Sequence, residues 1–398
     1  MLSREHVVEA LNRKRDAFSS YHLDSGRDLT RYQSALDRLA EMDRAAAEAA
    51  LGDNPRPGAR PTAERMAGRN VVRPFYPAWA NHAEARAWAL EALHDVTTVA
   101  VDGSQITRSH DFSVPVGAVQ VGWFENPHRP EGRYVKDIRF EVLAPPELDQ
   151  GQEGEGARER TFPDLEVNFR RFELECQVLA EYMRRLADEG RRAVCFFDGS
   201  LVISFAARMN PGLQRRYLGA IIDLLGVSAA TRVPLVGYVD TSYARDLVAM
   251  LGVMDHASET QLLSDGALLR GRMVWGERTE AFICARDDEL ARKVSPELAY
   301  YEQVHLLYLK TTAENAPVRL DLPAWLLEDE LLEWTVDVVR AECVVGTGYP
   351  YCIETADAVA VITMEDRERF YRTFQEFLAG LGVGMRYSRK AYSKRGRR

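Results

Sequence analysis

Apolar positions recur at helical spacing over residues 4–51, broken only near Asp24-Ser25-Gly26 and stopped by Gly52-Asp53-Asn54-Pro55-Arg56-Pro57-Gly58, so the pattern predicts an N-terminal helical extension and a linker. A second helical stretch over residues 78–94 leads into an unbroken apolar run at Thr97, which reads as a buried strand. Residues 114–123 and 134–143 alternate or run apolar, giving three successive strands that form a meander. Residues 150–156 are polar and Gly-rich and predict a loop. A long helical pattern over 164–188 follows and hands over to another strand at Ala193. Further on the pattern predicts a helix at 214–225, a strand at 234–239, a helix at 243–251 and strands near Met273 and Val318. The last part reads as a helix at 328–342, a turn at 346–350, and helices on either side of the apolar run 358–362.

Three strands, a helix, and then a strand ending on an acid is the element order of an RNase H-like α/β core. The expected fold is therefore a mixed sheet flanked by helices, with the helical extension ahead of it. The expected domains are residues 1–95 as extension and linker, 96–365 as the core with inserted helices, and 366–398 as a terminal helix and basic tail.

Length and composition change this picture little. The chain has 398 residues, of which 46% are hydrophobic, enough for a sizeable core. The first residues lack an apolar leader core and no run reaches the roughly 20 apolar residues that span a bilayer, so a cytoplasmic protein is expected. Cys176, Cys195, Cys284, Cys343 and Cys352 are scattered without metal or redox spacing and read as buried thiols. A net charge of −9 argues against coating nucleic acid nonspecifically but leaves room for a local basic groove. Arg386, Arg389, Lys390, Lys394, Arg395, Arg397 and Arg398 form such a patch, suited to phosphates or to solvent alike.

The chemistry lies in a repeated ending. The runs Thr97-Thr98-Val99-Ala100-Val101 and Ala193-Val194-Cys195-Phe196-Phe197 both close on Asp-Gly-Ser, at Asp102-Gly103-Ser104 and Asp198-Gly199-Ser200. Asp-Gly is an ordinary turn signal, but two of them after buried strands deliver two carboxylates to strand ends, where open α/β sheets place their chemistry. Carboxylates converging on hard cations such as Mg²⁺ or Mn²⁺ are what metal-assisted phosphodiester cleavage requires. The preceding helix offers Glu173, Glu175 and Glu181 as a third acid; Glu175 shares a face with Val178, Leu179, Tyr182 and Leu186 and so points toward the sheet. The other reading of Glu175 is an ion pair with Arg171 at helical spacing. Asp240 and Asp265 read as helix caps, and His110 and His305 as hydrogen-bonded side chains rather than ligands.

Together, Asp102-Gly103-Ser104, Arg171-Phe172-Glu173-Leu174-Glu175, Phe197-Asp198-Gly199-Ser200-Leu201, Gly276-Glu277-Arg278-Thr279 and Gly348-Tyr349-Pro350 resemble the NurA nuclease family over about residues 96–365. The resemblance implies an RNase H-like core and a Mn²⁺-dependent 5′-to-3′ exonuclease and single-strand endonuclease. It also implies a homodimer that works with the hexameric HerA ATPase in DNA-end resection. Asp102 and Asp198 match the family's metal-binding aspartates, and Tyr349 the tyrosine of its Gly-Tyr-Pro turn. Eight residues beyond that tyrosine the family commonly has a histidine, whereas this chain has Asp357. An aspartate binds a hard cation through oxygen, so the expected shell is Asp102, Glu175, Asp198 and Asp357, with Tyr349 positioning phosphate or water. Two other readings compete. One is a non-catalytic adaptor between DNA and a HerA-like ATPase with a decayed metal site; the other is an actin-like or sugar-kinase ATPase, against which stands the lack of a Gly-rich phosphate loop before a helix.

Overall fold

The computed structural model describes residues 2–76, 79–109, 112–148, 164–256, 260, 262–294 and 299–384. His110, the expected loop at 150–156 and the basic residues from Arg386 onward lie outside them. The chain divides into two compact units: Met1–Ala80 with Tyr238–Asp288 and Tyr300–Ala324, and Asn81–Gly237 with Glu289–Ala299 and Trp325–Arg398.

The first unit opens with helices α1 (Arg4–Asn12), α2 (Arg15–Glu41) and α3 (Arg44–Leu51), then strands β1 (Gly58–Pro61) and β2 (Val72–Arg73). The expected break at Asp24-Ser25-Gly26 is absent: α2 runs straight through it. A glycine inside a helix costs only about 1 kcal/mol, and the buried stripe Tyr32, Ala35, Leu36 and Leu39 on one face of α2 outweighs it. The breaks fall instead at residues 13–14 and 42–43, the latter where Asp43 caps α3 by accepting from the Ala46 N–H at 2.8 Å.

The second unit follows with α4 (His82–Leu93), β3 (Thr97–Ile106), β4 (Gly117–Asn126), β5 (Val135–Leu143), α5 (Pro145–Leu148), α6 (Leu165–Asp188), β6 (Ala193–Asp198) and α7 (Pro211–Thr231). Within β7 (Leu235–Val239) the chain passes back to the first unit. There it forms α8 (Asp246–Met254), α9 (Asp265–Leu269), β8 (Arg278–Thr279) and β9 (Phe282–Ala285). After α10 (Glu289–Val294) in the second unit come β10 (Val304–Leu309) and β11 (Val318–Pro323) in the first. The second unit is completed by α11 (Trp325–Glu328), α12 (Leu332–Val345), α13 (Tyr351–Ala360) and α14 (Met364–Gly380).

In the first unit β1, β9, β10 and β11 pair in that order, antiparallel throughout, and β2 joins through β8. The strand expected near Met273 lies further on, as β8 and β9. Asp265 does cap a helix, though not its own: Ser264 caps α9, while Asp265 accepts from the Leu247 and Val248 N–H groups of α8 and from the Tyr308 hydroxyl. Asp240 caps nothing, because α8 begins at Asp246.

In the second unit the order is β5-β4-β3-β6-β7, with β3, β4 and β5 antiparallel and β6 parallel to β3. This is the expected RNase H-like mixed sheet flanked by helices. β3 lies between β4 and β6, which buries Thr97–Val101 on every side. Side chains alternate between the two faces of a strand, and the neighbours follow: α6 lies over the face shown by Gly103 and Gly117, α13 over the face shown by Gly122. All five cysteines are free and buried. Among the described residues no helix is long and apolar enough to cross a membrane.

Candidate metal centre

The two Asp-Gly-Ser triplets are built differently. β3 does not stop at Asp102: it continues to Ile106, with Asp102 opposite Gly122 and Gly103 opposite Val121. Here the glycine makes no turn. At the second triplet the strand does end, on Asp198, and Gly199 turns the chain with φ 142°. Val101 pairs with Phe197 in the parallel ladder, so the next residues along, Asp102 and Asp198, stand side by side.

Asp357 reaches the same place from α13. Its helix can lie close to the sheet because β4 has a glycine there: a Cβ on Gly122 would fall 2.7 Å from the Ala360 nitrogen. One turn before Ala360, Asp357 then comes close enough for its carboxylate to act on that of Asp102. It is exposed and sits inside α13, so it caps no helix; Thr363 and Asp366 cap the next one. Tyr349, half-buried in the turn between α12 and α13, donates from its hydroxyl to Asp198 Oδ1 at 3.1 Å.

The three helix acids separate cleanly. Glu173 binds Arg170 at 2.5 Å, and Glu181 is exposed and forms a double hydrogen bond with Arg139 at 3.1 and 2.7 Å. Glu175 faces inward at 6% exposure, with Val178, Leu179, Tyr182 and Leu186 buried beside it. Its carboxylate meets β3 from the face opposite Asp102, where Gly103 leaves space. Arg171 Nη1 lies 3.2 Å from Glu175 Oε1 and donates to the Gly103 carbonyl at 3.1 Å. Both sequence readings of Glu175, toward the sheet and paired with Arg171, describe one arrangement.

Gathering acids in a part-buried site raises their proton affinity. Burial first, then the charges of Asp198 and Asp357, push the Asp102 carboxyl up to about 6 against a favourable Gly103 N–H. Burial pushes Glu175 up to about 8, opposed by Arg171 and reinforced by Asp102 and Asp198. Glu175 Oε1 is buried and accepts no hydrogen bond. Crowded carboxylates with an unsatisfied oxygen are a donor set that fits a hard divalent cation in kind. Among the described residues, no group of three or more His, Cys, Asp or Glu side chains is placed to hold a metal ion.

His305 lies elsewhere, buried in β10 of the first unit, with its Nδ1 unpartnered. Gly122 escaped the sequence reading, although a glycine inside the apolar run Val119-Gln120-Val121-Gly122-Trp123-Phe124 signals close backbone approach.

Residues 96–362 match the NurA domain profile. No curated protein matches the chain. Among solved structures, the NurA nuclease from Sulfolobus solfataricus is similar at 16% identity and TM-score 0.45, over 72% of this chain and 85% of that one. A NurA bound to dAMP and manganese is similar at 12% identity and TM-score 0.36, over 69% and 86% of the two chains. The catalytic domain of human endonuclease V is similar at 14% identity and TM-score 0.31, over 74% and 94%.

Proposed function

Since the chain belongs to the NurA family of nucleases, its domain match covering well over half its length, we propose that it is a metal-dependent deoxyribonuclease acting at Asp102, Asp198, Asp357 and Glu175. The observation that carries this reading is the convergence of Asp102, Asp198 and Asp357 from β3, β6 and α13, with Glu175 brought up behind Gly103. A hard divalent cation held there would supply charge neutralisation on the phosphoryl oxygens. Asp102, Asp198, Asp357 and Glu175 are the residues that would hold it. Tyr349 fixes the orientation of the Asp198 carboxylate through its hydroxyl and would be at hand to position phosphate or water.

Mn²⁺ is the cofactor we favour, with Mg²⁺ suited to the same oxygen donors. The finer activity follows the family: 5′-to-3′ exonuclease and single-strand endonuclease action on DNA, as a homodimer with a HerA-type hexameric ATPase, in the resection of double-strand breaks in the cytoplasm. End-labelled linear single- and double-stranded DNA should be degraded with Mn²⁺. Asp102→Ala should remove that activity while leaving the fold intact by circular dichroism. Cleavage by Asp102→Ala at the parental rate would overturn the proposal.

The adaptor reading has one observation in its favour, Asp357 standing where the family commonly has histidine. It requires that calorimetric titration of the parent with MnCl₂ show no binding. The same labelled-end assay on Asp357→His, run across Mg²⁺ and Mn²⁺, reads out what the aspartate does to metal preference.

A further inference from the structure

We propose that Gly103 is a positioning residue of the acidic site: its missing side chain is the seat that lets Glu175 reach β3, and Arg171 is the clamp that holds it there. This rests on the reading of the site as a cation centre. Gly103 lies in the middle of a regular strand, paired with Val121, and its backbone is not in the left-handed region. Any residue can extend the chain in that conformation, so the glycine answers to no turn or backbone strain.

What excludes a side chain is contact. A Cβ at residue 103 would lie 2.4 Å from Glu175 Oε1, 2.7 Å from Arg171 Cγ and 3.1 Å from Arg171 Cδ. Neither neighbour has an easy retreat. Glu175 is buried, and its helix is packed on either side of it through Phe172, Leu174, Cys176 and Leu179, all buried. Arg171 is tied to the carbonyl of Gly103 itself at 3.1 Å and stands 3.2 Å from Glu175 Oε1. The alternation of β3 sends Asp102 toward α13 and residue 103 toward α6. Glu175 therefore approaches the aspartates from the far side of the sheet, and a methyl group next to Asp102 is enough to keep it away.

The test is MnCl₂ titration by calorimetry on the full chain, paired with metal-free thermal unfolding, for the parent, Gly103→Ala, Glu175→Ala and the double variant. Gly103→Ala changes no charge and no donor atom, yet it should weaken Mn²⁺ binding by about ten- to a hundredfold, the range typical when a group that orients a metal ligand is lost. With Glu175→Ala the obstructing carboxylate is gone, so adding Gly103→Ala should leave Mn²⁺ binding unchanged and lower the metal-free melting temperature by less than it does in the parent, the remainder coming from the contact with Arg171 Cγ. Arg171→Lys keeps the charge but loses the planar guanidinium whose Nη1 faces both the Gly103 carbonyl and Glu175, and should weaken binding several-fold. Parental Mn²⁺ affinity in Gly103→Ala overturns the proposal, as does an equal effect of Gly103→Ala with and without Glu175. If the parent takes up no Mn²⁺, the cation reading falls, while the metal-free melting comparison still decides whether Glu175 occupies the seat.

Discussion

At the scale of single residues, His305 titrates far from its ordinary range for a reason of its own. Burial holds its imidazole down to about 4 from an ordinary 6.5, with Arg44 adding to the effect and Glu64 opposing it. The unfolded chain therefore takes up a proton that the folded chain refuses. Stability from this group is fully present above pH 6.5 and is lost as pH falls toward 4, by about 3 kcal/mol at 1.36 kcal/mol per unit. Urea midpoints measured at pH 6.5 and 4.5 should fall less for His305→Leu than for the parent; parallel losses would show that the imidazole is not the group responsible. Glu175 and His305 are both buried ionisable side chains with an atom that makes no hydrogen bond, and they differ in surroundings. Glu175 has Asp102 and Asp198 acting on it, whereas His305 sits in a strand buried along its length, among Val304, Leu306 and Leu307.

At the scale of elements, the site depends on how closely one helix can approach one strand. Gly122 allows α13 onto β4, and Gly103 admits a side chain from α6; the two glycines serve opposite faces of the same pair of strands. Gly122→Ala would press a Cβ against the backbone of α13 itself, at Val359 and Ala360. We expect a loss of about 1–3 kcal/mol in chemical denaturation, together with a fall in cleavage, because Asp357 withdraws from Asp102 as α13 lifts. Unchanged stability and unchanged cleavage would show that α13 adjusts at no cost. The same level explains what could be read from the letters alone. Helix α6 and its inward face were legible because a 3.6-residue period is local, and so was β6, an unbroken apolar run. The two Asp-Gly-Ser triplets were indistinguishable, since whether β3 carries on to Ile106 is decided by β4, its partner beyond the turn. Gly26 looked like a break because its cost is local, while the stripe that overrides it begins at Tyr32.

At the scale of the molecule, cation binding and folding should be linked. A ligand that binds only the native state stabilises it by about 2.7 kcal/mol at a hundred times its dissociation constant. Saturating Mn²⁺ should raise the melting temperature of the parent by a few degrees, EDTA should reverse the rise and abolish cleavage, and Asp102→Asn should show no rise. A rise that persists in Asp102→Asn would place the ion elsewhere. The RNase H-like order of the second unit was legible from three strands, a helix and a strand. The sheet order of the first unit was not, although its helices and the strand at Val318 were: its strands β1, β2, β8 and β9 are two to four residues long, too short for a period, and are drawn from stretches far apart in the chain.

The acids of the site also have a birth order. Asp102, Glu175 and Asp198 leave the ribosome with the first half of the chain, but Asp357 and the Tyr349 that holds Asp198 arrive only with α13 and the turn before it. A nascent or prematurely terminated chain can carry the whole meander and β6 and still lack the last carboxylate, so translation itself keeps a half-made copy from acquiring its full cluster of negative charge.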